Sequence, residues 1–346
     1  MRAAVGALGT LPVHILGTGS YLPEKVVTND DIAARVPNTT AEWIRRRTGI
    51  AERRYAAPDE AASDLAVHAA RSALTEAGLD AGQIDYIIVS TTTGDAPIPA
   101  TSSLVQHALG AHRAAAFDVN IACAGFLTGL EIARAFVMVR PETRALVIGT
   151  DVYTRFVDFQ DRATAVLFGD AAGAVVVGSR SDGAPGILDV ELVGRGDAHH
   201  LIGMPAGGSR RPASATTVTD GGHVLHMQGR AVSEFVLAEV PSVLTDLLKC
   251  CGYEATDVDH FVPHQANAVL LGELAERSGL SGARMHLPLR HTGNIGSASI
   301  PVALDEAHRS GELKTGDVVL LAGFGAGMAA GAGLLRWSVP NGGSDG

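Results

Sequence analysis

Cysteine is scarce in this chain: 346 residues hold three, Cys123, Cys250 and Cys251. An odd number, two of them adjacent, cannot build the disulfide framework of a small secreted domain, and no Cys-x-x-Cys pair offers a structural zinc site. The composition therefore points to a reducing compartment, a bacterial-type cytoplasm. Basic residues are also few, 27 against 37 acidic ones, for a formal net charge of −10; only Arg45-Arg46-Arg47 forms a run. Nucleic acid is excluded as an expected partner, because backbone binding needs a clustered positive surface. With aromatics at 5% the core must be built from Ala, Val, Leu and Ile. Long charge-free runs are rare too. The N-terminal stretch is broken early by Gly17-Thr-Gly-Ser-Tyr-Leu-Pro, which argues against a signal peptide. The run 318–335 is long enough to span a bilayer, but it carries five glycines and reads as strand, glycine loop, strand. No membrane is expected.

What the chain does have is glycine, 41 residues, and a hydrophobic content of 46%, ample for a large core. Short β-branched runs at 13–17, 86–91, 145–149, 174–177, 260–262 and 318–321 read as strands. Ala/Leu/Glu-rich helical patterns lie between them at 61–77, 122–137, 231–250 and 268–278. That alternation predicts largely parallel sheets with helices on their faces. The chain also repeats itself. At an offset of 174 residues Asn120-Ile-Ala-Cys-Ala-Gly-Phe126 returns as Asn294-Ile-Gly-Ser-Ala-Ser-Ile300. Gly78 falls on Gly252, Asp85 on Asp259, and the run from Ala145 on the run from Val319. We read two copies of one α/β unit, 12–185 and 186–338, without a linker, flanked by loose ends at 1–11 and 339–346. The segment 207–222 reads as an irregular surface insertion.

The copies differ where chemistry is expected. Cys123 stands just before a helical pattern, where the helix dipole favours thiolate; an ordinary free cysteine is instead a small buried hydrophobe. His264 follows the strand pattern from His260, at the end of a strand where open α/β sheets place ligand-contacting residues. Asn294, otherwise a turn residue, is able to join His264 in donating hydrogen bonds to one developing oxyanion. Gly323-Phe-Gly-Ala-Gly327 is a glycine loop after a strand; its spacing fails the dinucleotide fingerprint.

Together these motifs resemble the thiolase superfamily, and within it the β-ketoacyl-(acyl-carrier-protein) synthase III family. The resemblance runs from about Leu11 to Trp337. It rests on Gly17-Thr-Gly-Ser-Tyr-Leu-Pro, Trp43-Ile-Arg-Arg-Arg-Thr-Gly-Ile50, Ala122-Cys-Ala-Gly-Phe126, Phe168-Gly-Asp-Ala-Ala-Gly173, Val262-Pro-His-Gln-Ala-Asn267 and Gly323-Phe-Gly-Ala-Gly327. It implies a duplicated five-layer αβαβα sandwich, a homodimer, and no metal or redox cofactor. An acyl group would pass from coenzyme A to Cys123, and a malonyl thioester would then lose carbon dioxide and condense with it. His264 and Asn294 would stabilise the enolate, and the N–H groups of Cys123 and Ala326 would form the oxyanion hole. Trp43, Arg47, Arg162 and Asn267 would contact coenzyme A, and Ile98 would reach across the dimer to close the partner's acyl tunnel.

Close relatives fit less well. A thiolase carries a second cysteine where this chain has Gly323-Phe324, and an elongating synthase has two histidines. Three departures stand out: Gly293-Asn-Ile-Gly-Ser-Ala-Ser299 replaces Gly-Asn-Thr-Ser-Ala-Ala-Ser, Met328-Ala-Ala-Gly331 replaces an aromatic, and Val269 replaces a carrier-docking arginine. The docking positions Glu234, Val269 and Glu276 leave only Arg277 basic. The alternatives are an acyltransferase that passes the acyl group to a hydroxyl, amine or carrier thiol without condensation, and a non-catalytic dimeric scaffold.

Overall fold

Each half of the chain builds a five-stranded sheet, and the two sheets share one topology. The computed structural model describes residues 12–181 and 183–339. In the first half β1 (Val13–Tyr21), β2 (Tyr86–Ser90), β3 (Ala115–Val119), β4 (Ala145–Val152) and β5 (Asp170–Ser179) lie in the order β1-β5-β4-β2-β3. In the second, β6 (Ile187–Gly194), β7 (His260–Pro263), β8 (Arg284–Met285), β9 (Val318–Gly325) and β10 (Ala329–Arg336) lie in the order β6-β10-β9-β7-β8. The longer helices are α1 (Ala62–Ala77), α2 (Thr101–Leu109), α3 (Gly125–Val139), α4 (Gly229–Cys251), α5 (Ala268–Arg277) and α6 (Ser299–Arg309).

The 174-residue offset survives into three dimensions. It carries the start of β1 to that of β6, β2 to β7, and α3 to α6. Gly78 and Gly252 close α1 and α4 in the left-handed conformation, φ +63° and +78°, which glycine adopts without steric cost. α1 and α2 cover the first sheet and α4 and α5 the second; α3 and α6 pack between the sheets. The five layers of the expected αβαβα sandwich are present. Leu127, Leu130, Ala133, Ile300, Ala303 and Leu304 of the two middle helices fill the central layer.

The sheets are mixed rather than largely parallel. β2 pairs parallel with β3 and β4, whereas β5 runs antiparallel to both β4 and β1, and the second sheet repeats this pattern. The cause is local in the second half, where the three residues 326–328 join β9 to β10, and so short a turn connects only antiparallel strands. The apolar run 318–335 is this hairpin. The stretch Ala122–Val139 is apolar and long enough to cross a membrane, yet 56% of it is buried, most of it as the middle-layer helix α3. Val339, assigned to the loose tail, is instead buried in the central core through its apolar side chain. Residues 1–11 and 340–346 lie outside the described residues.

Candidate active site

The two halves meet at the starts of the middle helices. After β3 the chain turns through Ala122–Ala124 into α3, and Ala122 takes φ +42°. A non-glycine residue there is strained, a feature that gathers at functional turns. Cys123 follows it and is partly exposed. The equivalent turn, Gly296–Ala298, leads into α6 behind Asn294. His264 leaves the end of β7 with its N–H donating to Ala322 O at 2.7 Å, so the adjacent strand β9 seats it. β9 ends against Cys123: a Cβ on Gly325 would lie 2.9 Å from its nitrogen and 3.0 Å from its Cβ.

Cys123, His264, Asn294 and Ala326 line one cavity of about 360 Å3, whose apolar wall includes Phe168, Met204, Leu225 and Phe324. The structure thus brings together the three residues singled out from sequence and the predicted oxyanion-hole positions. Asn294 is held at both ends. Its N–H donates to Leu167 O at 2.8 Å, its carbonyl accepts from Gly169 N–H at 3.0 Å, and its Oδ1 accepts from Gly296 N–H at 3.0 Å. Because Oδ1 is taken by a donor, the Nδ2 amide remains for a ligand oxygen.

His264 is 3% exposed, and burial lowers its pKa to about 3, so it is neutral at physiological pH. Its Nδ1 lies 3.1 Å from Ser299 Oγ, and that hydroxyl lies 2.7 Å from Gly296 O. With the Ser299 proton on Gly296 O, His264 carries its proton on Nδ1 and offers a lone pair at Nε2. With the hydroxyl turned to Nδ1, Nε2 becomes a donor. The expectation that the helix start favours a Cys123 thiolate is opposed by the surroundings of the thiol. Burial first, then the Asp151 carboxylate, push the thiol well above its ordinary range; its own backbone N–H and the Tyr153 hydroxyl pull the other way.

A groove of about 560 Å3 leads outward, sharing Met227, Val232, Ala266, Leu270 and Asn294 with the cavity. Trp43, Arg47, Arg162 and Asn267 all line it. Trp43 is half-buried, and the Arg162 guanidinium sits 5.3 Å over its ring, so a base stacked between them must part the pair. Asn267 caps α5, accepting from Val269 N–H and Leu270 N–H at 2.9 and 3.3 Å, and donates to Arg47 O at 3.2 Å. One of its amide hydrogens remains for a ligand. Ile98 lies away from this cavity, 87% exposed. Its loop is fastened to the edge strand β3, where Asp118 accepts from Thr101 N–H and Ser102 N–H at 2.8 Å each. Among the positions expected to dock a carrier, Val269 is 60% exposed, Arg277 is paired to Glu273 at 2.6 Å, and Glu234 is paired to Arg230 at 2.8 Å.

Sequence reasoning did not single out Thr92, Asp151, Tyr153 or Ser299. Asp151 and Tyr153 end β4 and begin the turn after it, and nothing in their spacing marks them. Asp151 faces Ser297 across the pseudo-symmetric halves, a contact made only by folding.

Residues 117–196 match the family model described as 3-oxoacyl-[acyl-carrier-protein (ACP)] synthase III, and residues 248–337 match its C-terminal model. A β-ketoacyl-[acyl-carrier-protein] synthase III of Symbiobacterium thermophilum is 47% identical over 94% of this chain and 98% of its own length. An acetoacetyl CoA synthase of Streptomyces sp. is 45% identical over 94% and 98%. Among solved structures, the 3-oxoacyl-[acyl-carrier-protein] synthase III of Aquifex aeolicus superposes with a TM-score of 0.86 at 37% identity, covering 94% of this chain and all of that one. The priming β-ketosynthase of the R1128 polyketide pathway superposes with a TM-score of 0.88 at 35% identity, covering 96% and 99%.

Proposed function

The chain belongs to the β-ketoacyl-[acyl-carrier-protein] synthase III family and is a condensing acyltransferase primed by an acyl-CoA, and we propose that its acyl carrier is Cys123 and its extender is malonyl-CoA. The observation that carries the reading is the single cavity lined by Cys123, His264, Asn294 and Ala326.

In the loading half, the Cys123 sulfur attacks the thioester carbonyl and coenzyme A leaves as the thiol. The tetrahedral oxyanion is held by the N–H groups of Cys123 and Ala326. In the second half, the malonyl carbon–carboxylate bond breaks, and carbon dioxide departs. The electron pair passes into an enolate whose oxygen accepts from Asn294 Nδ2 and from His264 in its Nε2–H form. The enolate carbon attacks the acyl-cysteine, the C–S bond breaks, and the released Cys123 thiolate takes a proton from solvent water. The groove with Trp43, Arg47, Arg162 and Asn267 holds the coenzyme, its arginines meeting the phosphates. The protein's own groups and the thioester carry this chemistry.

The docking face supports a CoA-borne extender over a generic acidic carrier. Its one basic docking residue, Arg277, is already neutralised by Glu273, and Val269 offers no charge. We also propose a homodimer formed along the β3 edge, which would carry Ile98 to the partner's tunnel. An aliphatic residue there predicts acceptance of branched or medium-length acyl-CoAs. The three free cysteines fit a cytoplasmic setting, in which Cys123 stays reduced.

Intact-protein mass after incubation with a panel of acyl-CoAs tests the reading and names the acyl group. Cys123→Ala should abolish the adduct, while Cys250→Ala and Cys251→Ala should keep it. Asn294→Ala should load normally but release carbon dioxide from malonyl-CoA roughly 10²–10³ times more slowly, the usual loss for one oxyanion donor. An adduct that survives in the Cys123 variant refutes the mechanism. Undiminished decarboxylation by Asn294→Ala points instead to acyl transfer without condensation.

A further inference from the structure

Tyr153 is 4% exposed, yet its hydroxyl faces the cavity that holds the nucleophile. The phenol has two neighbours. One is Thr92 Oγ1 at 2.7 Å; the other is Cys123, which lines the same cavity and whose thiolate form the Tyr153 hydroxyl favours. The Thr92 hydroxyl in turn donates to Asp151 Oδ1 at 3.1 Å. The ring is fixed by Phe168, with centroids 4.8 Å apart. On the other side stands Gly296, whose φ is +57°; a Cβ there would lie 2.4 Å from Tyr153 Cε2 and 2.3 Å from Asp151 Oδ2. This explains a sequence departure the general mechanism leaves unused. Where the family motif reads Gly-Asn-Thr-Ser, this chain reads Gly293-Asn-Ile-Gly296, and the missing side chain makes room for the tyrosine ring.

We propose that the Tyr153 hydroxyl is a further catalytic group, donating a hydrogen bond to the Cys123 sulfur as it becomes a thiolate during acyl loading. The inference rests on Cys123 being the acyl carrier. A thiolate formed here has the Asp151 carboxylate close by, so it needs a donor of its own. Burial and the same carboxylate hold the Tyr153 phenol well above its usual range, which keeps its proton in place. In the resting thiol that proton points to Thr92 Oγ1, whose own hydrogen is on Asp151. When the sulfur ionises, the charged acceptor draws the phenol hydrogen to itself, since bonds to ionised acceptors are about twice as strong as neutral ones. Asp151 Oδ1 tolerates the accompanying turn of Thr92, because Thr92 N–H and the hydroxyls of Thr91 and Thr93 also reach it, at 3.0, 3.3 and 2.9 Å.

The proton balance is closed. The Cys123 S–H proton passes to the bare Nε2 of neutral His264. The thiolate attacks the thioester carbonyl, the bond to the coenzyme sulfur breaks, and the imidazolium returns its proton to the departing coenzyme thiolate. Tyr153 keeps its proton throughout.

The experiment is the pH profile of Cys123 alkylation by iodoacetamide in a Cys250→Ser, Cys251→Ser background, with acyl-CoA loading measured alongside. Tyr153→Phe should raise the alkylation midpoint by about one pH unit or more, a ten-fold loss of rate below the midpoint. Loading should slow by a similar factor, while carbon dioxide release per acyl-enzyme stays unchanged. Placing 3-fluorotyrosine at 153, a stronger donor of nearly equal size, should lower the midpoint, and this keeps the test open if the phenylalanine variant folds poorly. An unshifted midpoint in both proteins, or a defect confined to decarboxylation, overturns the proposal. Alkylation needs no acyl-CoA, so a wild-type protein that never forms the acyl adduct would refute the acyl-carrier reading while leaving the Tyr153 profile measurable.

Discussion

A buried carboxylate, Asp151, stands behind Cys123 with no cation among its described hydrogen-bond partners. Every group that reaches the Asp151 oxygens is a donor: the hydroxyls of Thr91, Thr92, Thr93 and Ser297 and the N–H groups of Thr92 and Ser297. At the 174-residue offset Cys123 corresponds to Ser297 and Asp151 to Gly325. The second copy therefore fills with its partner's carboxylate the place that the first copy leaves open beside Cys123. The turn at Ser297 is thereby closed by a carboxylate, while the turn at Cys123 borders the cavity. Asp151→Asn should show both sides of this arrangement. Its amide hydrogens face only donors, so stability should fall by about 1–3 kcal/mol in urea unfolding, the cost of an unmade buried hydrogen bond. Removing the charge should also lower the alkylation midpoint of Cys123. A higher midpoint would show that Asp151 does not oppose the thiolate.

Single strands and turns set the geometry at the next scale. Gly325 ends β9 against the Cys123 backbone, and any Cβ there must displace Cys123. Gly325→Ala should thus cut acyl loading by roughly 10²-fold, the usual effect of a small misplacement at a reacting centre, with little change in circular dichroism. Normal loading would mean that the turn has slack. At the far end of the same sheet, His260 on β7 lies 3.0 Å from His286 Nε2, and Glu312 lies 3.3 Å from His286 Nδ1. Burial and then His260 lower the His286 pKa to about 4 against 6.5 unfolded. Below pH 6.5 the unfolded chain takes up a proton that the folded chain refuses, so this histidine costs stability as pH falls toward 4, by up to about 1.4 kcal/mol per unit. His286→Gln should flatten the acid limb of urea midpoints measured between pH 7 and 4.5. Parallel limbs for the two proteins would contradict this.

Across the whole molecule, the face around the groove bears on the proposed choice between a carrier-borne and a CoA-borne extender. Exposed ion pairs contribute only about 0.2–1 kcal/mol each, but complementary charge mainly speeds encounter. Here Arg277 and Arg230 are matched by Glu273 and Glu234. Val269→Arg with Glu276→Lys should raise turnover with a generic acidic carrier several-fold and leave turnover with malonyl-CoA unchanged. Tight, salt-sensitive carrier binding by the unmodified protein would refute the reading of this face.

The sequence by itself determined the duplication and pointed to Cys123, His264 and Asn294 as one candidate site, because these follow from local patterns and from one residue offset, whereas the five-layer order was implied only by the family resemblance. β1, β2, β4, β7 and β9 fall on its β-branched runs, and the glycine caps after α1 and α4 mark matching helix ends. Strand direction was misjudged, because apolar runs look alike whether a strand is parallel or antiparallel. Only the tertiary structure decided the protonation of the site and the company Cys123 keeps. A helix start favours a thiolate when considered alone, but burial and Asp151 outweigh it once the halves close. Tyr153 and Gly296 lie far apart in the chain, and the fit of ring against glycine exists only where the two copies meet.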